Sequence, residues 1–138
     1  MKMSGTLKLL GVESGLRFEA RFGERVAFLD DTTGTVEASP VHHLLAALAA
    51  CEAMDVITIL RKRRLAITAY EVLISGERAE EPPRRFLSIE LIHRVTGRGV
   101  APAEVEAAVR LSVEKYCSVY HCLRPDLPIT NHVEVVEG

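Results

Sequence analysis

The sequence predicts an α+β domain with antiparallel sheets. Three observations carry this: short runs of alternating apolar and polar residues, one long apolar segment opening at Ser39-Pro40, and a second helix start at Pro102. In order they give βββ-α-ββ-α-β over a single domain, residues 1–138, with no repeat, linker or low-complexity tract.

Each element has a local reason. Thr6–Leu10, Leu16–Phe22 and Arg25–Asp30 read as strands set apart by the turn formers Gly11, Gly15 and Gly23. Leu16, Phe18, Ala20 and Phe22 alternate with Arg17, Glu19 and Arg21, so this run has one apolar face. Residues 30–35 read as a loop. Ser39 offers an N-cap hydroxyl and Pro40 the first helical position, where a missing N–H does no harm. The helix is expected to reach about Arg63, with Arg61–Arg64 suiting the negative end of its dipole. Ile67–Gly76 and Phe86–Thr96 follow as strands around a charged, proline-containing turn. In the second of them Leu87, Ile89, Leu91 and Val95 share one face. Pro102 opens a helix to about Tyr116, with Val105, Ala108, Val109 and Val113 at helical spacing. A short helical stretch over Ser118–Leu123 and a strand over Val133–Val136 close the chain.

Composition excludes several classes of function. At 48% hydrophobic and 26% charged residues the chain is an ordinary globular sequence. Its 17 basic and 19 acidic residues leave a net charge of −2, so neither a nucleic acid nor an anionic membrane is the expected partner. Three cysteines do not make a disulfide framework, and Met1–Thr6 holds no apolar run; both point to a cytoplasmic domain. Leu44–Leu60 holds 14 apolar residues in 17, short for a membrane span. Glu52 and Asp55 sit near its middle, where a charge costs about 2.5–3.5 kcal/mol on insertion scales. A long helix buried in a soluble core, partly by a second subunit, is the expectation.

The chemistry-bearing residues centre on thiols. On a helical wheel Cys51, Asp55, Thr58 and Lys62 lie within about 60° of one another, which puts Cys51 on a polar seam of an apolar helix. An inert buried thiol and a reactive one both fit that placement. Glu52 and Asp55 read as helix-surface or interface residues. Cys117 and His121 are i,i+4 neighbours if their stretch is helical, a weak two-ligand arm for zinc that His42 or His43 would have to complete. Otherwise His42 and His43 read as capping or surface residues, and His93 and His132 as surface or satisfied sheet residues. Cys122 reads as a small buried apolar residue, with a substitute resolving thiol as the alternative. No phosphate-binding, dinucleotide or serine-hydrolase motif occurs.

Ser39-Pro40-Val41-His42-His43-Leu44-Leu45-Ala46-Ala47-Leu48-Ala49-Ala50-Cys51, then Met54-Asp55-Val56, then Glu114-Lys115-Tyr116-Cys117, resembles the OsmC/Ohr family. These are the osmotically inducible and organic-hydroperoxide-resistance proteins, and the resemblance covers nearly the whole chain. It implies the OsmC-like fold: long helices buried between the subunits of an intertwined homodimer, with active sites at the interface. It also implies a thiol peroxidase acting on organic hydroperoxides, with hydrogen peroxide as a further candidate substrate. Cys51 matches the peroxidatic cysteine and Cys117 the resolving one. A lipoyl-type or other dithiol would re-reduce the pair, with no cofactor and no metal. Organic-hydroperoxide-resistance members carry a glutamate ten positions before the first cysteine, and other branches carry it one position later. Here those positions are Val41 and His42, which favours the OsmC-like branch. Arg17, Arg25 and His42 are the candidates for lowering the Cys51 thiol pKa. A redox sensor or a noncatalytic ligand-binding homodimer is the alternative reading.

Overall fold

The computed structural model describes residues 1–31 and 36–138 of the 138. Of the loop expected over 30–35, residues 32–35 lie outside the described residues. The described residues form an α+β fold of two three-stranded sheets and three α-helices, in two compact units, Met1–Leu44 and Leu45–Gly138.

In the first unit β1 (Thr6–Leu9), β2 (Phe18–Phe22) and β3 (Arg25–Leu29) make an antiparallel meander. Phe22 pairs with Arg25, so Gly23-Glu24 is a two-residue hairpin loop. Gly23 takes φ 63°, a value that an L side chain rarely adopts and that such tight loops require. Helix α1 (Pro40–Lys62) starts in this unit and runs on into the second. Its start is the expected cap. The His42 N–H donates to Ser39 Oγ at 3.3 Å, and His42 Nδ1 accepts from the Ser39 N–H at 3.1 Å. This is the reciprocal exchange of a capping box, with a histidine where glutamate or glutamine is usual.

The second unit is built on the sheet β4 (Ala66–Arg78), β5 (Phe86–Arg98) and β6 (Ile129–Glu137), in that order. The β4–β5 pair is antiparallel, as expected; β5 and β6 run parallel, which was not. A parallel neighbour needs a crossover of a dozen residues or more. The stretch from Gly99 to Pro128 supplies it, through α2 (Pro102–Leu111), a π-helical turn (Ser112–Tyr116) and α3 (Ser118–Cys122). The second helix therefore ends as an α-helix at Leu111 rather than near Tyr116. The last strand starts four residues earlier than its apolar run suggested.

One stripe of α1, Leu48, Glu52, Val56 and Leu60, is fully buried at i, i+4 spacing. Val56 and Leu60 join Val95 of β5 and Val105, Ala108 and Val109 of α2 in the hydrophobic core. Glu52, expected on the surface or at an interface, lies within this stripe. The rest of α1 is far less covered: only 28% of its most apolar 18-residue window is buried, and its mean hydropathy of 1.7 makes it long and apolar enough to cross a membrane. The helix closes on a Schellman motif, Arg64 N–H to Arg61 O at 2.9 Å and Leu65 N–H to Leu60 O at 3.3 Å. Arg64 sits at φ 58° where glycine is usual.

Gly97 of β5 pairs with Ile67 beside a bulge, and a Cβ there would stand 2.5 Å from the Ala66 carbonyl oxygen and 2.9 Å from Val100 Cγ2. The first clash is with backbone and cannot be relieved by a rotamer change. Gly97→Ala is therefore expected to destabilise the fold by about 1–3 kcal/mol, read as a lower midpoint in urea at unchanged slope; an unchanged midpoint would mean that β4 and β5 separate there at no cost.

Candidate functional site

The second unit brings Cys51 and Cys117 together although 66 positions separate them. Cys51 is half-buried on α1 and Cys117 is fully buried; all three cysteines are free thiols. Cys117 lies near enough to Cys51 for that side chain to raise its pKa. Two features of the backbone put it there. Ser112 Oγ donates to Asp55 Oδ2 at 2.7 Å, which ties the π-helical turn to α1 one helical turn beyond Cys51. The turn closes with the Cys117 N–H on Ser112 O at 2.8 Å, an i→i+5 bond. Cys117 then leaves the helical conformation and becomes the N-cap of α3, its Sγ accepting from the Tyr120 N–H at 3.3 Å.

These surroundings set the state of the thiol. Burial pushes the Cys117 pKa up to about 12; the neighbouring Cys51 and the Glu52 charge push the same way, and the Tyr120 N–H opposes them. Cys117 is therefore held as a thiol at neutral pH.

Beside the pair lies a buried polar cluster contributed by four elements. Glu52 Oε1 stands 3.4 Å from His93 Nε2, both side chains being fully buried. His93 Nδ1 is 2.7 Å from the Tyr70 hydroxyl and its Nε2 is 2.9 Å from Asn131 Oδ1. Asn131 Oδ1 can only accept, so Nε2 carries a proton and the simplest arrangement has Tyr70 donating to Nδ1. Neither Glu52 oxygen completes a hydrogen bond among the described residues. Burial and the Glu52 charge raise the Tyr70 phenol above its ordinary pKa. Sequence reasoning missed this cluster. His93 was expected as a surface or satisfied sheet residue, and it is a satisfied one at zero exposure. The signal that was available is its register: it occupies the same face as Leu91 and Val95.

The remaining candidates are placed as follows. Arg17, in the first unit, reaches Glu37 Oε1 through Nη2 at 3.0 Å and lies 4.7 Å above the Phe28 ring, while its buried Nε has no partner among the described residues. Arg25 opens β3 and is exposed. His42 serves the α1 cap with its Nδ1 as acceptor. His43 Nε2 meets Phe28 O at 3.2 Å. The zinc arm does not assemble, because His121 Nε2 is held by Val113 O at 2.8 Å. Among the described residues no three His, Cys, Asp or Glu side chains form a group that could hold a metal ion. Cys122, expected to be buried, is exposed at the end of α3. The polar seam of α1 opens on a cavity of about 490 Å³ lined by Asp55, Thr58, Lys62, Arg63, Leu111 and Tyr116 among others.

Comparison with known proteins follows the fold closely. A family model described as OsmC-like protein matches residues 32–131. Protein YhfA of Escherichia coli K12 is 42% identical over 124 residues, covering 88% of this chain and 92% of its own. The crystal structure of an OsmC-like protein from Mycoplasma pneumoniae superposes with a TM-score of 0.80 at 19% identity, over 99% of this chain and 98% of that one. An organic hydroperoxide resistance protein from Elizabethkingia anophelis shares the fold at a TM-score of 0.68 and 12% identity, over 97% and 96% of the two chains.

The raised Cys117 pKa fixes the sign of an alkaline effect. Below pH 9.0, the ordinary value, folded and unfolded chains both keep this proton. Between there and about 12 the unfolded chain releases it and the native one does not, so stability falls as pH rises. Thermal melts from pH 8 to 11 are expected to show this decline, and Cys117→Ser is expected to flatten it. Equal slopes in both proteins would mean that the native thiol ionises normally.

Proposed function

The chain belongs to the OsmC-like protein family, and from that premise we propose that it is a thiol peroxidase in which Cys51 reduces organic hydroperoxides and Cys117 resolves the oxidised product. The observation that carries this reading is the nearness of Cys51 and Cys117, a half-buried thiol beside a fully buried one. A two-cysteine peroxidase needs this division of labour: one accessible sulfur to meet the peroxide, and a second beside it to close the disulfide. The names of fold neighbours such as the Elizabethkingia protein point the same way.

In the first step the Cys51 thiolate attacks the terminal peroxide oxygen, the O–O bond breaks, and an alcohol leaves as Cys51 becomes a sulfenic acid. Cys117 then displaces hydroxide from that sulfur to give the disulfide, and a dithiol returns both thiols by exchange. Of the three candidate cations, Arg17 is the most constrained within its own unit. Glu37 and Phe28 hold its guanidinium, and its buried Nε has no hydrogen-bond partner among the described residues. His42 is occupied by the helix cap, and Arg25 is exposed.

The uncovered face of α1 supports a homodimer as the working form. Ala50, Ala53, Met54 and Ile57 border an open groove of about 540 Å³ with Ile67 and Tyr70, and Met54 is 66% exposed. A second copy of the chain laid against this face would bury it.

A peroxidase assay with dihydrolipoate and an alkyl hydroperoxide tests the reaction. Turnover is expected in the wild type and its complete loss in Cys51→Ser. Cys117→Ser is expected to form one sulfenic acid and stop. A wild-type protein that oxidises once and does not turn over would instead favour the redox sensor. Light scattering tests the assembly: a species of about twice 15.2 kDa is expected, and a 15.2 kDa species at micromolar concentration would rule the homodimer out.

A further inference from the structure

Ser112 is fully buried, and each of its polar groups has a different destination. Its N–H donates to the Ala108 and Val109 carbonyls, which carries the end of α2 into the π-helical turn. Its Oγ donates to Asp55 Oδ2 at 2.7 Å, and its carbonyl accepts from the Cys117 N–H at 2.8 Å. A buried hydroxyl without a partner is costly, so this packing requires the Asp55 contact. Among the described residues no other nitrogen or oxygen group of α1 hydrogen-bonds to the crossover that carries Cys117. The far side of the turn is held as well. In a regular α-helix the Cys117 N–H would bond to Val113 O. Here that carbonyl accepts from His121 Nε2 at 2.8 Å, and the Cys117 N–H goes to Ser112 instead. On α1, Asp55 follows Cys51 by one helical turn, a rise of about 6 Å. One serine thus links the helical turn that carries the first thiol to the peptide that carries the second.

We propose that Asp55 and Ser112 are positioning residues for disulfide closure, their hydrogen bond setting where Cys117 meets Cys51 by way of the π-helical turn. The inference rests on the Cys51/Cys117 assignment above. An organic hydroperoxide is the oxidant that makes the Cys51 sulfenic acid. In closure the S–S bond forms as the S–O bond breaks, and the Cys117 proton leaves with the hydroxide as water. Cys117 sulfur is oxidised and Cys51 sulfur reduced by one electron each, so charge and atoms balance. The geometric demand is strict, since a disulfide needs Cα atoms about 4.4–6.8 Å apart. Without the Asp55–Ser112 bond the turn is free to relax toward the regular register, which carries Cys117 about 100° around the helix axis.

The test has two arms, and every protein in it carries Cys122→Ser because that thiol is exposed and would react separately. One arm is the rate of disulfide formation after one equivalent of an alkyl hydroperoxide. The other is the equilibrium between thiols and disulfide in glutathione buffers, which gives the effective concentration of one thiol at the other. Ser112→Ala and Asp55→Ala are each expected to lower both readings by about tenfold or more, the range for a hydrogen bond to a charged group. The double variant should lose little beyond either single one, because the two residues act through one bond. Asp55→Asn keeps an acceptor oxygen without the charge and should recover most of the closure. Sulfenic acid formation in the Cys117→Ser background should change less than about twofold when Ser112→Ala is added, since the bond acts on the second step. A merely structural role would lower the urea midpoint and leave the glutathione equilibrium of the folded protein unmoved, so that equilibrium decides. If the wild type forms no sulfenic acid, the peroxidase reading fails and the glutathione arm still decides the positioning. Ser112→Ala matching the wild type in the glutathione equilibrium overturns the proposal, as does a wild type that forms no Cys51–Cys117 disulfide in either arm.

Discussion

The second unit is organised by one constraint: the stripe of α1 that packs into the core contains a carboxylate. Leu48, Val56 and Leu60 are buried because the helix turns its i, i+4 face inward, and Glu52 goes with them. Taking a charge out of water costs several kcal/mol unless polar partners meet it. The polar group that the sheet brings nearest is the His93 imidazole of β5, with Nε2 3.4 Å from Glu52 Oε1, and Tyr70 of β4 and Asn131 of β6 hold that ring in turn. The strand registers bring them together, since Leu91, two residues before His93, lies beside Asn131, and His93 itself beside Val72, two residues after Tyr70. The parallel β5–β6 pair is part of the same arrangement, because it delivers Asn131 to the His93 imidazole.

The same helical register orients the chemistry. With Glu52 turned to the sheet, Cys51 stands off the core face at partial exposure, and Asp55, one turn on, is free to take Ser112. That bond locates the π-helical turn, and the wide i→i+5 closure ends the helix early enough for Cys117 to cap α3. A regular α-helix through Ser112–Tyr116 would carry Cys117 a further 100° around its axis. The thiol pair thus depends on a backbone irregularity, and its two sulfurs differ in character because one is capped and buried and the other is not.

Much of the fold was legible in local signals. Ser39-Pro40 marked the start of α1 because a hydroxyl cap and a proline have few other uses side by side. The apolar spacing of Val105, Ala108 and Val109 named the buried face of α2 correctly. The resemblance to the OsmC/Ohr family singled out Cys51 and Cys117, and the fold sets them side by side. The Asp55 seam was legible from the helical wheel, but its partner Ser112 was not, since nothing in a serine's neighbours announces a contact 57 positions away. The identity of Glu52 as a core residue was hidden for a related reason. A glutamate in an apolar helix reads as the polar edge, and only the packing of α1 on the sheet, with Glu52 beside His93, reverses that reading.

What the sequence determined by itself is therefore whatever a few neighbouring residues decide: where helices begin, which face of each is apolar, and which strands alternate. Tertiary structure alone decided the direction of β6, the π-helical turn, the burial of Glu52 with His93 and the exposure of Cys122. Each of these turns on a partner distant in the chain, and the free energy that selects it exists only once both partners have been withdrawn from water together.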